Sequence, residues 1–296
     1  MKHILKNTYS LLFRYVFILL PDTLFFNLIG WIDHVRFGKS YKWMHIKHPK
    51  TFNEKINYLK IHPAIQNGAI LADKYKVREF VAKTIGPQYL IPLIGVWKAP
   101  KEIDFNALPP QFVLKANQGS GMNIICRDKS KLDIEKTIKH LNQWLKTEPF
   151  YHYREWQYKN IEHVILAEKL LEYNIFDYKF FCFDGEPKFV QIDLDRFSGH
   201  KRIIYDMAWQ RAPFNLIYPA PDFDMPRPVQ FDEMIELCRK LSKGCNFIRV
   251  DLYIYDNKIY FGELTLHPEG GTAVIIPKKY DLILGNLLKL DVPKQK

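Results

Sequence analysis

Cysteine is scarce and scattered in this chain. The four thiols, Cys126, Cys182, Cys238 and Cys245, form no CxxC pair, and no small-residue cleavage site follows the apolar N-terminus. Neither a disulfide framework nor a zinc site is indicated, so reduced thiols of the cytoplasmic kind are expected. No apolar run reaches the roughly 20 residues that a membrane-spanning helix needs. The longest, Leu11 to Ile32, is broken by Arg14, Pro21 and Asp22. Two readings of residues 1–35 stay open. One is a pair of short helices packed on the body. The other is a peripheral membrane anchor helped by Lys2, Lys6, Arg14, Arg36, Lys39 and Lys42.

A concentrated basic run is also missing, although the net charge is +11. The charge suits an anionic partner, and its spread argues against nucleic acid. There is no GxxxxGK[ST] loop, no GxGxxG opening a helix, no nucleophile motif, no internal repeat and no low-complexity tract. What remains is 296 residues, 47% hydrophobic and 15% aromatic, enough for a sizeable core in one to three domains.

The most informative stretch is Phe247 to Gly271. Ile248–Tyr255 and Lys258–Leu264 alternate as strands do, and Asp256-Asn257 between them is turn chemistry, so a β-hairpin is predicted. Arg249 and Asp251 share one parity, and Glu263 on the returning strand can reach the same face. Converging carboxylates repel unless a positive group lies between them. A hard cation such as Mg²⁺ takes such oxygen ligands together with substrate phosphates. The plainer reading is an ordinary hairpin with Arg249 paired to Asp251 or Glu263 on a solvated face.

Elsewhere, Thr51 and Glu54 form a capping box before a helix from Phe52 to Lys60, with Ile56 and Leu59 inward. Asp73–Val81 reads as an amphipathic helix with a basic face, and Tyr89–Trp97 as a strand. Phe112–Ile125 is a strand carrying Lys115, then Gly119-Ser120-Gly121, then another strand. Glycines let backbone N–H groups approach a phosphate, and the lysine supplies charge, though such a loop can also be only a hairpin turn. A helix over Leu132–Lys146, a buried strand over Val164–Leu171, and a hairpin of Tyr178–Phe183 and Pro187–Leu194 about Asp184-Gly185 follow. Then come a strand at Lys201–Tyr205, a Pro-rich loop at Pro213–Pro228, a helix over Val229–Lys243 and a short helix at Tyr280–Gly285.

Seven stretches stand in a telling order: TFNEKINYLK, DKYKVREFV, FVLKANQGSGMNII, ILAEKLLE, DYKFFCFDGEPKFV, FIRVDLY and IYFGELTLHPEGG. Over about residues 51–285 the chain resembles the ATP-grasp superfamily, and in wording its TupA-like branch, named for a teichuronopeptide-biosynthesis protein. The resemblance implies an α+β ATP-grasp fold, in which two α+β lobes with antiparallel sheets grip ATP. The divisions expected are an apolar helical segment at 1–50, a pre-ATP-grasp region at 51–110, lobe 1 at 111–171 and lobe 2, with the metal hairpin, at 172–296. It further implies that Lys115 contacts the α/β-phosphates, that Gly119, Ser120 and Gly121 cover the triphosphate, and that Lys74 is a further nucleotide-side cation. Glu168, Lys169, Leu170 and Leu171 would meet the adenine, and Asp177 the ribose. Asp251 and Glu263 would hold Mg²⁺, and Arg249 would steady the phosphoryl group. Where the superfamily has an Asn two residues after the Glu, this chain has Thr265, which leaves open whether one or two Mg²⁺ bind. Asp193, Asp195, Arg196, His267 and Glu269 are substrate-side candidates, although a lone histidine such as His267 is most often a surface residue.

The implied activity is an ATP-dependent carboxylate–amine ligase acting through an acyl phosphate. By resemblance, its partners would be a small amine and an anionic sugar acceptor, a uronic acid of a bacterial surface polysaccharide or its precursor. The expected place is the cytoplasm, at the inner face of the membrane. Two other classes compete. A glycosyltransferase-like enzyme would use Asp193-Leu194-Asp195 and bind a nucleotide sugar. A non-catalytic basic protein of membrane surfaces would bind anionic surfaces without turning over ATP.

Overall fold

The local signals place most elements where the computed structural model has them. The structure describes residues 15–39, 41–171, 175–194 and 199–290. Helix α1 (Asp22–Arg36) follows Pro21. Helix α2 (Phe52–Ile61) starts at the predicted box, in which the Thr51 hydroxyl accepts the Glu54 N–H and the Glu54 carboxylate accepts the Thr51 N–H at 2.9 Å. A separate short helix, α3 (Gly68–Ala72), ends before Asp73, and the predicted helix over Asp73–Val81 instead begins only at Val77, in α4 (Val77–Thr84). The cause is Asp73, whose carboxylate accepts the N–H groups of Tyr75 at 2.8 Å and Lys76 at 3.1 Å. This local turn competes with helix.

Strand β1 (Leu93–Trp97) is shorter than predicted, because Pro87–Tyr89 forms a 3₁₀ turn. Strands β2 (Phe112–Ala116) and β3 (Asn123–Cys126) flank the glycine loop. After them come α5 (Ile134–Leu145), α6 (Phe150–Tyr153) and β4 (Ile165–Lys169). The first sheet is antiparallel in the order β1-β4-β2-β3, with Phe112, Leu114, Ile165 and Leu141 of α5 in its core.

The second part carries β5 (Asp177–Phe183), β6 (Glu186–Leu194), β7 (Lys201–Asp206), β8 (Asn215–Leu216), α7 (Phe231–Ser242), β9 (Phe247–Tyr255), β10 (Lys258–Thr265), β11 (Ile275–Ile276) and α8 (Lys279–Leu287). Its main sheet is antiparallel in the order β10-β9-β5-β6-β7. Helix α7 packs Phe231, Met234, Cys238 and Leu241 against Phe180, Cys182, Val250 and Leu252 on one face. On the other face Phe181, Phe183 and Phe247 meet Phe52 and Ile56 of α2. The period of two then requires Lys179, Arg249 and Asp251 to project from that same second face, beyond the aromatic patch.

The N-terminal segment is docked. Phe25, Phe26 and Ile29 of α1 are buried, and the Asn27 carboxamide bonds the backbone of Met44. Arg154 binds Asp22 at 2.5 Å and the carbonyls of Phe17, Ile18 and Leu20. Of the expected pair of short apolar helices, the described residues show a 3₁₀ turn at Phe17–Leu19 and then α1, which carries Asn27, Asp33 and His34 along it. Residues 1–14 lie outside the described residues. Among the described residues no helix is long and apolar enough to cross a membrane.

Candidate active site

The hairpin of β9 and β10 turns at Asp256 and Asn257, both at positive φ, the mirror-type turn that suits the strand twist. From there pairing runs Tyr255↔Lys258 to Leu252↔Phe261. Continued without interruption it would set Glu263 opposite Val250, on the α7 face. A β-bulge between Phe261 and Glu263 inserts Gly262, and Glu263 then lies opposite Asp251 and Thr265 opposite Arg249. A Cβ at Gly262 would stand 2.8 Å from the Tyr253 ring and 3.0 Å from the Asp251 carbonyl, so the close approach favours glycine there.

Arg249 donates Nε to Asp251 Oδ1 and Nη2 to Asp251 Oδ2, both at 2.7 Å. The same Nη2 reaches Thr265 Oγ1 at 3.1 Å and Glu263 Oε1 at 3.3 Å. Asp251 is 1% exposed and Arg249 7%, so the solvated-face reading of this hairpin is wrong: the pair lies inside. One strand over, Lys179 stands in register with Asp251, 3.0 Å from its Oδ2, and also binds Asp177. Burial pushes the Asp251 carboxyl up, but Arg249 and Lys179 outweigh it and hold it below its ordinary value. Burial would lower the Lys179 ammonium, yet Asp177 and Asp251 keep it raised.

The first sheet presents a second charged group. Glu168 on β4 accepts Lys115 Nζ of β2 at 2.7 Å and Arg78 Nη1 of α4 at 2.8 Å. The loop after Lys115 is held at its base by Asn117, whose carboxamide bonds the Glu162 carbonyl and the Val164 N–H at 2.9 Å each. Gly119 and Gly121 both have positive φ, and Ser120 is exposed. Lys74 joins the two groups: its ammonium donates to the Gly119 carbonyl and lies 3.8 Å from Glu263 Oε2. Burial lowers the Lys74 ammonium from its ordinary value, Glu263 partly offsetting this.

A metal can be tested against this donor set. The Glu263 side chain is 33% exposed, and its carboxylate and the Thr265 hydroxyl are oxygen donors at the open end. Asp251 uses three of about four lone-pair sites on Arg249 and Lys179. The set suits a hard cation that draws its other ligands from phosphates and water. Among the described residues no three His, Cys, Asp or Glu side chains form a cage able to hold a metal by themselves.

The model of the family described as TupA-like ATPgrasp matches residues 54–289. The chain belongs to the TupA-like ATP-grasp family. Its fold is accordingly the ATP-grasp fold, and the enzymes of that superfamily are ligases using ATP with Mg²⁺. None of the curated proteins matches this TupA-like chain. Solved structures similar to it include N5-carboxyaminoimidazole synthetase from Staphylococcus aureus complexed with ADP, at 17% identity and TM-score 0.41, over 68% of this chain and 46% of that one. D-alanine–D-alanine ligase from Bacillus anthracis complexed with ATP is similar at 15% and 0.41, over 67% and 56%. Phosphoribosylamine–glycine ligase from Thermotoga maritima is similar at 14% and 0.47, over 83% and 68%. The TupA-like chain spans about half the length of the first two.

The remaining candidates divide. Asp193 on β6 accepts Arg202 Nε at 2.6 Å, His200 Nε2 at 3.0 Å and Gln191 Nε2 at 3.1 Å. Glu269 meets the same Arg202 at 3.3 Å. His267 is not a surface residue: it is 4% exposed, 3.7 Å from Glu155, and burial holds its imidazole well below its ordinary pKa. Lys169 is exposed and Leu171 buried beside the Glu168 group. Asp195 and Arg196 lie outside the described residues. Lys179 and Arg78 were missed from sequence. Lys179 shares the parity of Asp177 on an otherwise apolar strand, which was its signal.

Proposed function

We propose that this TupA-like chain is an ATP-dependent carboxylate–amine ligase. The observation that carries the reading is Lys74, which ties the glycine loop of one sheet to the carboxylate hairpin of the other. Lys115, Lys74, Lys179 and Arg249 would meet the charge of the triphosphate, while the Gly119–Gly121 loop covers it with backbone N–H groups. Asp251, Glu263 and Thr265 would hold Mg²⁺, which when bound supplies neutralisation of phosphate charge. The residues around Glu168–Leu171 would meet the adenine, and Asp177 the ribose.

A carboxylate is a poor acyl donor because oxide is a poor leaving group. Transfer of the γ-phosphoryl group to it gives an acyl phosphate, which an amine attacks through a tetrahedral intermediate as phosphate leaves. Such chemistry needs positioning and charge stabilisation rather than a protein nucleophile. The finer reading is amidation of a uronic acid of a bacterial surface polysaccharide or its precursor, by an amino acid or other amine, at the cytoplasmic membrane face. The net charge of +11 supports an anionic acceptor. Against the glycosyltransferase alternative, the Asp193 carboxylate is engaged by Arg202, His200 and Gln191.

Calorimetry of ATP with and without Mg²⁺ tests the reading on the wild type, Lys115→Ala and Glu263→Gln. The expected result is ATP binding that Lys115→Ala weakens at least tenfold and whose Mg²⁺ dependence Glu263→Gln abolishes. A wild type that binds no ATP at millimolar concentration refutes it.

A further inference from the structure

A cavity of about 990 Å³ is lined by residues from His34 to Glu54 and from Thr272 to Leu282, and by none of the hairpin or the glycine loop. Its wall carries Lys39, Lys42, Lys50, Lys278 and Lys279, with His34, His45 and His48 beside them. Against these five ammonium groups stand two carboxylates, Glu54 and Asp281, an excess of three positive charges before any histidine is protonated. Both carboxylates already serve the fold. Glu54 accepts the N–H groups of His45, Lys50 and Thr51 at 2.8–2.9 Å, and Asp281 accepts the Asn53 N–H at 3.0 Å. Among the described residues, Lys39, Lys42 and Lys50 make no ion pair. Lys39, Lys42 and Lys50 gathered at one mouth repel one another, and a bound anion relieves them.

A second feature adjoins the mouth. Leu24, Leu28, Trp31 and Val35 of α1 fall within about 60° of one another on the helix, and Leu24, Trp31 and Val35 are exposed by 41%, 53% and 53%. His34, the cavity-lining residue of α1, lies at the edge of this stripe, and Trp43, 52% exposed, follows Lys42.

We infer that the cavity is an anion site separate from the nucleotide site, taking a phosphate-bearing ligand with at least two negative charges. Lysine ammonium groups act on phosphate as point charges and need no fork geometry, which suits five lysines on three different segments. The phosphate can belong to a soluble molecule or to a lipid head group whose chains lie along the Leu24–Val35 stripe. The site does not depend on the ligase reading.

The test uses inorganic pyrophosphate in calorimetry against the full chain, Lys115→Ala and the double variant Lys42→Gln/Lys50→Gln. ATP binding is measured on the same proteins, so that failure of the nucleotide site is seen separately. The expected result is pyrophosphate binding that survives Lys115→Ala and weakens at least tenfold in the double variant, whose ATP binding is unchanged. Absence of binding at millimolar pyrophosphate, loss in Lys115→Ala, or indifference to the double substitution overturns the inference. Co-flotation with phosphatidylcholine vesicles containing phosphatidic acid, lost in the double variant, assigns the phosphate to a lipid. Pyrophosphate binding without flotation assigns it to a soluble ligand.

Discussion

Replacing Lys179 by Met should unfold the second sheet more readily at neutral pH than in acid. The ammonium is buried between Asp177 and Asp251, both almost fully enclosed. Asp251 keeps its two bonds from Arg249, so the loss falls mainly on Asp177, which no longer shares the ammonium. Breaking a buried pair by removing one partner costs about 3–5 kcal/mol, and the retained Arg249 favours the lower end. In the variant the Asp177 carboxyl loses an ammonium that favours its ionised form, so it shifts upward from its wild-type value. Its penalty is then present at pH 7.5 and shrinks as acid protonates the group. In the wild type the depressed Asp251 works the other way, its contribution being lost as pH falls through the folded value. Between pH 7.5 and 5 only the Asp177 change narrows the gap, because the Asp251 loss sets in below its ordinary value of 3.8. Urea unfolding at pH 7.5 and 5 measures it. A difference below about 1 kcal/mol at pH 7.5, or one that widens at pH 5, refutes the buried-pair account.

Gly262→Ala should cost about 1–3 kcal/mol in urea unfolding, because its methyl meets the Tyr253 ring and the Asp251 carbonyl, and ATP affinity should fall with it. Glu54→Ala removes a capping box and a three-fold backbone acceptor, so a loss of about 2 kcal/mol is expected in the same assay. Lys60 is enclosed by Phe26 and Tyr153 and lowered to about 8, mainly by burial. The unfolded chain therefore binds more protons than the folded one between pH 8 and 10, and stability from this group rises with pH there. Lys60→Met should remove that rise, about 3 kcal/mol in full, in unfolding measured across this range.

The strands and capped helices were legible because their signals are short-range: the Thr51/Glu54 box, the Asp256-Asn257 turn and the alternation of Phe247–Tyr255 all act within a few residues. Counting parity also brought Arg249 and Asp251 together. It could not place Glu263, since regular pairing puts that residue on the wrong face and only the inserted Gly262 restores it. The Asp73 turn was hidden because its side chain competes with helix locally, and propensity alone favours helix through Lys74 and Tyr75. Strands β8 and β11 have two residues each, too few for any period to show. The Arg78–Glu168 pair joins residues far apart in the chain, and nothing local in either stretch announces the other.

The bulge at Gly262 also governs how this hairpin can change over time. With a two-residue turn, residues separated by an even interval along the hairpin fall on opposite faces, yet Asp251 and Glu263 are so separated and share one. Deleting Gly262 would leave the glutamate opposite Asp251 in an uninterrupted ladder, whereas keeping Gly262 but losing the bulge would turn the glutamate into the apolar layer under α7 and leave Asp251 alone. A pair of residues gained or lost at the Asp256–Asn257 tip would only lengthen or shorten the finger. Length variation among related chains should accordingly come in steps of two at the tip, while loss of the bulge residue itself would keep the two carboxylates on one face.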